Sequence, residues 1–148
     1  MNKGFTLIEL LVSMGIIAVL TSMAVFNFNQ ARIRARDVQR KSDLGQLVKA
    51  LELYKNDNSG KYPAVGGFQG NLLPDYLKTQ IVDPKGSDWS TYQYKPDASL
   101  KTYNLMACLE NKTDDSKANT TQCAVFSTTG CSCGGLSKTG VMYVISNP

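Results

Sequence analysis

The chain contains no histidine. The commonest general base and transition-metal ligand is therefore missing. There is no nucleophile elbow, no phosphate-cradling glycine loop and no paired-carboxylate signature. "GCSCGGLSKTG" (130–140) is glycine-rich, but it lacks the P-loop order and the strand–helix context that a phosphate site needs. Catalysis has no candidate residues, and an enzyme is not expected. Internal repeats and low-complexity tracts are also absent. No proline interrupts residues 5–28 or 31–55, so nothing there forbids a long helix.

What is present is unevenly placed. The net charge of +4 sits in residues 1–55, which carry eight basic and four acidic side chains; residues 56–148 carry eight of each. The C-terminal part thus offers no basic face, and a nucleic-acid partner is not indicated. Beyond a possible membrane segment about 120 residues remain, enough for one small domain. All four cysteines, Cys108, Cys123, Cys131 and Cys133, fall in the last third. Behind an export-like N-terminus an even number points to disulfides in an oxidising compartment. Zinc is the rival, but Cys131-x-Cys133 lacks the usual two-residue spacing. Three connectivities are open, with Cys131–Cys133 the least favoured, because so small a ring strains a disulfide.

"FTLIELLVSMGIIAVLTSMAVFNF" (5–28) is apolar or small except for Glu9 and a few neutral polar side chains. At about 1.5 Å per residue it is roughly 36 Å long, enough to span a bilayer. Gly15 is its weak point. From Ala31 to Lys55 the helical pattern continues. Val38, Leu44, Leu47, Val48, Leu51 and Tyr54 recur at three- and four-residue steps and form one apolar stripe, with Arg40, Asp43, Gln46, Lys49 and Glu52 outside it. The two segments make one helix of about 50 residues. It is apolar all round in its first half and on one side only in its second.

"NDNSGKYP" (56–63) ends that helix. A loop or linker covers 56–70, "NLLPDYL" (71–77) reads as a short helix, and "VDPKGSDW" (82–89) as turns. Strands are expected at "STYQYK" (90–95), "KTYNLMACLE" (101–110), "CAVFST" (123–128) and "VMYVIS" (141–146). The fold class is α+β: a long N-terminal helix with a small antiparallel sheet packed on its C-terminal half.

Glu9 is the residue that needs explaining, because a carboxylate at bilayer depth is costly and usually functional. An ordinary signal peptide would use Lys3 as its basic end and Ser22-Met23-Ala24 as its cleavage site, giving a start at Val25. Glu9 would then interrupt the apolar core of the signal. A plain signal anchor explains the length but not the glutamate. Gly4-Phe5-Thr6-Leu7-Ile8-Glu9, after a short leader carrying Lys3, instead resembles the class III signal of type IV pilins and type II secretion pseudopilins. The resemblance implies cleavage by prepilin peptidase between Gly4 and Phe5, then N-methylation of Phe5. It implies a leader at 1–4, a membrane or filament-core helix at 5–28, an amphipathic half at 29–55 and an αβ-loop and β-sheet head at 56–148, in the type IV pilin fold. It also implies that the chain polymerises as a homo-oligomeric filament, driven by an inner-membrane assembly platform and its ATPase. Glu9 would pair with the Phe5 ammonium of a neighbouring subunit and so set the axial register.

One signal opposes that orientation. Arg32, Arg34, Arg36, Arg40 and Lys41 follow the span, with only Asp37 against them, and the positive-inside rule would hold that end in the cytoplasm. The specific motif outweighs the statistical bias. The basic run then reads as a solvated face, the other reading being pairing with acidic side chains of neighbours.

"LLPDYLKTQIVDPKGSDWSTYQY" (72–94) is similar to a block in major pseudopilins, with Asp83, Pro84, Tyr92 and Tyr94 at matching positions. Asp-Pro fixes a turn, and the tyrosines are expected to bury their rings and keep their hydroxyls at the surface. Major pseudopilins typically carry a calcium site in their last loops and no cysteine; the four cysteines here are closer to a pilin's disulfide-bounded loop. Weak calcium candidates are Glu110, Asn111, Asp114 and Asp115 in "ENKTDD", whose simpler reading is an exposed polar loop. Asn111-Lys112-Thr113 and Asn119-Thr120-Thr121 fit the N-glycosylation pattern and read as chance matches. The expected role is a major pilin, in the inner membrane as precursor and then on the cell surface. The alternatives are a pseudopilin forming a periplasmic piston and a membrane-anchored binding domain that never polymerises.

Overall fold

The structure is a computed structural model and describes residues 4–66, 68–86, 92–126, 131, 133 and 140–147. It divides into two compact units, Met1–Ala35 and Arg36–Pro148. The division falls inside the long helix α1, Leu7–Asp57, 51 residues without a break at Gly15 or Gly45. Residues 36–57 therefore belong to the globular unit.

In the first unit every described side chain from Phe5 to Val25 is exposed, so this stretch has no protein core of its own. Its neutral polar groups turn back onto the backbone. Ser13 Oγ donates to Leu10 O at 2.9 Å, Thr21 Oγ1 to Ile17 O at 2.7 Å and Ser22 Oγ to Val19 O at 2.7 Å. A helix so satisfied tolerates surroundings without water.

In the globular unit α1 packs one face on a three-stranded antiparallel sheet, ordered β1 (Gln93–Pro96), β2 (Tyr103–Leu109), β3 (Val141–Asn147). Leu44, Leu47, Ala50 and Leu51 are buried there, against Tyr103, Leu105 and Ala107 of β2. Val38 is the exception to the expected stripe and stays exposed. The helix stops at a Schellman-type turn: Ser59 takes φ 56°, and Gly60 N–H bonds Lys55 O at 2.9 Å.

Strand alternation gives the sheet a second core. Met106 opposes Val144 and Cys108 opposes Met142, and these pack with Ala118, Cys123 and Cys133. Both faces of the middle strand are thus covered, which is why β2 is nearly continuously buried.

Three expectations are corrected. The short helix α2 lies at Phe68–Leu72, not 71–77, because Pro74 has no N–H to donate and disfavours helical geometry at Leu73. "CAVFST" does not begin as a strand: Thr120–Ala124 is a short helix, α3, because Asn119 and Gln122 form a reciprocal capping box. Residues 127 and 128 of that stretch lie outside the described residues, as do 90 and 91 of the first expected strand. Thirdly, the hydroxyls of Tyr92 and Tyr94 are not at the surface. They are buried and donate to Asp43 Oδ2 at 2.6 Å and Pro63 O at 2.8 Å.

Candidate functional site

The N-terminal motif is built by helix capping. Thr6 is the N-cap of α1 and Glu9 its third residue. Glu9 N–H donates to Thr6 Oγ1 at 3.3 Å, and Thr6 N–H donates back to Glu9 Oε2 at 2.9 Å. That is a capping box, and Thr6 Oγ1 adds a donation to the same Oε2 at 2.7 Å. Both Thr6 donors converge on one oxygen; among the described residues Glu9 Oε1 accepts no hydrogen bond. Phe5 is 81 % exposed, and a Cβ built on Gly4 would meet nothing within 4 Å. Any demand for glycine at that position therefore belongs to whatever binds the chain, not to the fold. The sequence signal for Thr6 is the T-L-I-E capping-box pattern, which lies inside an otherwise apolar run.

A second polar constellation sits at residues 36–41 of α1. Arg40 is fully buried and holds three carboxylates. Its Nε and Nη2 grip Asp83 at 2.7 and 3.0 Å, and its Nη1 donates to Asp37 at 2.7 Å and Glu110 at 2.9 Å. Arg36 donates to Glu110 through Nε and Nη2 at 2.6 and 2.7 Å, and Lys85 reaches Glu110 at 2.8 Å. Asp37 in turn accepts the backbone N–H groups of Glu110 and Asn111 at 2.9 and 2.8 Å. Asp83 fixes the Asp-Pro turn, accepting Lys85 N–H at 2.9 Å. Burial alone would raise the Glu110 pKa, but the Arg36, Lys85 and Arg40 donors outweigh it and bring it down to about 2. Burial opposes the Arg40 charge, and its carboxylate partners more than restore it.

This corrects the reading of the basic run as a solvated face. Arg36, Arg40 and Lys41 are all paired within the chain, Lys41 with Asp114 at 2.8 Å. Only Arg32 and Arg34 of the five are exposed. The placement of Arg40 and Asp43 outside the buried face is corrected as well, since both are buried. The signal was available: the three- and four-residue stepping of Leu44, Leu47 and Leu51 extends backward through Arg40 and Asp37.

The residues weighed for calcium are not gathered around one point. Glu110 faces three cations and Asp114 faces Lys41, while Asp115 is exposed. Asn111 Oδ1 accepts Thr113 N–H at 3.2 Å and Thr113 Oγ1 at 2.8 Å, a local turn. Among the described residues no group of three or more His, Cys, Asp or Glu is placed to hold a metal ion. The cysteines form two nested disulfides in the second core: Cys108–Cys133 ties it to β2, and Cys123–Cys131 ties α3 to residue 131.

Residues 1–25 match the family described as the prokaryotic N-terminal methylation motif. The type IV wide pilus major component PilA4 of Thermus thermophilus is 46% identical over 57 residues, 38% of this chain and 44% of that protein. The match therefore spans less than half of PilA4's length. The type II secretion system core protein G of Pectobacterium carotovorum is 39% identical over 118 residues, covering 70% of this chain and 75% of that one. The core protein G of Pseudomonas aeruginosa is 32% identical over 117 residues, covering 70% and 80%. No solved structure gives a significant match. With relatives 39% and 32% identical of which it covers 75% and 80%, and with the methylation motif at its N-terminus, the chain belongs to the type IV pilin and type II secretion pseudopilin family.

Proposed function

We propose that the chain is the repeating subunit of a type IV pilus-like filament. The observation that carries this is the Thr6–Glu9 box at the head of an exposed apolar helix. As synthesised, the Phe5 nitrogen is an amide. Cleavage between Gly4 and Phe5 by prepilin peptidase turns it into an ammonium, and only then does Glu9 have a cationic partner to find on a neighbour. Thr6 keeps its own N–H through that cleavage, so the box that aims Glu9 survives. With Oε2 held by Thr6, Oε1 is left for the neighbouring Phe5 ammonium. Packed among apolar helices, an unpaired Glu9 is costly and a paired one fixes the axial offset. The precursor waits in the inner membrane, and a platform with a cytoplasmic ATPase lifts it into the filament on the cell surface.

A second reading, a pseudopilin of a type II secretion system, is favoured by the greater length over which the core G proteins align. The two share the subunit chemistry and differ in the filament's length and place.

Glu9→Gln and Glu9→Ala separate capping from charge. Glutamine serves in a capping box, so Glu9→Gln keeps the helix end while removing the charge; Glu9→Ala loses both, at about 1 kcal/mol for the cap. Both variants should be processed and both should lose surface filaments, accumulating in the membrane. Filaments at normal abundance from Glu9→Gln would show that the charge sets no register.

A further inference from the structure

The five-residue basic run after the span is reduced by folding. Arg36 is spent on Glu110, Arg40 on Asp37, Asp83 and Glu110, and Lys41 on Asp114. Arg32 and Arg34 remain exposed, without an ion pair among the described residues. The guanidinium carbon of Arg32 lies 4.5 Å from the centre of the Phe28 ring. Stacked in that way, a guanidinium keeps its edge N–H groups free for a forked contact with a phosphate.

Their position follows from helix arithmetic. Leu7–Phe28 covers about 33 Å, close to the hydrocarbon thickness of about 30 Å, and the headgroup layer adds about 5–7 Å on each side. Arg32 lies about 6 Å and Arg34 about 9 Å beyond Phe28 along the axis, within that layer once long side chains lean toward it. Two residues apart, they point about 200° away from each other around the helix. A partner docked on one side reaches one of them, whereas lipid surrounding a single helix reaches both.

We infer that Arg32 and Arg34 bind the phosphates of anionic phospholipids at the bilayer face reached by the C-terminal end of the apolar run, while the subunit is still unassembled. This rests on the membrane-held precursor proposed above. The two arginines then act as a depth stop for α1, and the contact is broken when the subunit leaves the bilayer.

The test uses the full chain reconstituted in phosphatidylcholine vesicles with trace spin-labelled phosphatidylglycerol or phosphatidylcholine. Flotation with the vesicles comes first; a chain that does not float overturns the membrane reading itself. For a chain that floats, the wild type should prefer phosphatidylglycerol by about fivefold at each arginine at low salt, and by less at high salt. Arg32→Gln/Arg34→Gln should still float and lose the preference, while Lys61→Gln, exposed in the globular unit, should keep it. Equal association of both lipids with the wild type overturns the inference. A preference that persists in the double variant overturns it too, since the anionic lipid then binds elsewhere. Loss of filaments in the double variant with no lipid preference in the wild type assigns the arginines to carboxylates of neighbouring subunits instead.

Discussion

At the scale of single residues, two charges sit where charge is costly, and they are handled in opposite ways. Glu9 is held through Oε2 by Thr6 while Oε1 accepts no hydrogen bond among the described residues, which fits the intersubunit pairing proposed for it. Arg40 is closed: fully buried and surrounded by three carboxylates of its own chain. Removing it would take the guanidinium from the buried carboxylates Asp83 and Asp37, at about 3–5 kcal/mol. Arg40→Met should therefore lower the melting temperature of the detergent-solubilised chain by more than about 10 °C. Val38→Ser, two positions away but exposed, should leave it within a degree or two. Equal shifts would mean that the ion network does not hold the turn at Asp83 or the end of β2.

At the scale of elements, legibility follows periodicity. The long helix was readable from both of its patterns, apolar all round and then striped, and the structure places it at Leu7–Asp57. Strand β3 was readable because Val141, Tyr143, Val144 and Ile145 fill it, and β2 because Tyr103 leads a short apolar run between polar loops. The region 120–124 was not, since "CAVF" has strand composition while the capping residues that decide its form, Asn119 and Gln122, lie mostly outside the apolar run. The polar constellation at 36–41 is not legible from hydropathy, which places charged residues on the outer face. The three- and four-residue spacing nonetheless puts Asp37 and Arg40 on the inner face, where both are buried. The partners that make this tolerable, Asp83 and Glu110, are 43 and 70 residues away from Arg40, a pairing no local pattern carries.

The second core is small and rests on the two disulfides. In the chain-entropy view, cross-links with separations of 25 and 8 residues are worth about 3.5 and 2.5 kcal/mol. Reduction under native conditions should lower the melting temperature and expose Met106 and Met142 to oxidation, read by peptide mass mapping. Unchanged protection of both methionines after full reduction would show that the second core stands without its cross-links.

At the scale of the whole molecule, the two units divide the labour. The first unit supplies an exposed apolar helix with the N-terminal methylation motif at its head, and the second a disulfide-tied unit in which Arg36, Arg40 and Lys41 are paired with carboxylates of the same chain. In the proposed function the apolar surface of α1 lies in the bilayer before assembly and among neighbouring helices afterwards. The claim rests on the leader being removed at the right bond. The direct measurement is the intact mass and N-terminal sequence of the protein isolated from its native envelope or shed surface fraction. The account predicts a chain that begins at Phe5 and carries one added methyl group. A chain that begins at Val25 would contradict it, because the helix that carries Glu9 would have been discarded with an ordinary signal peptide.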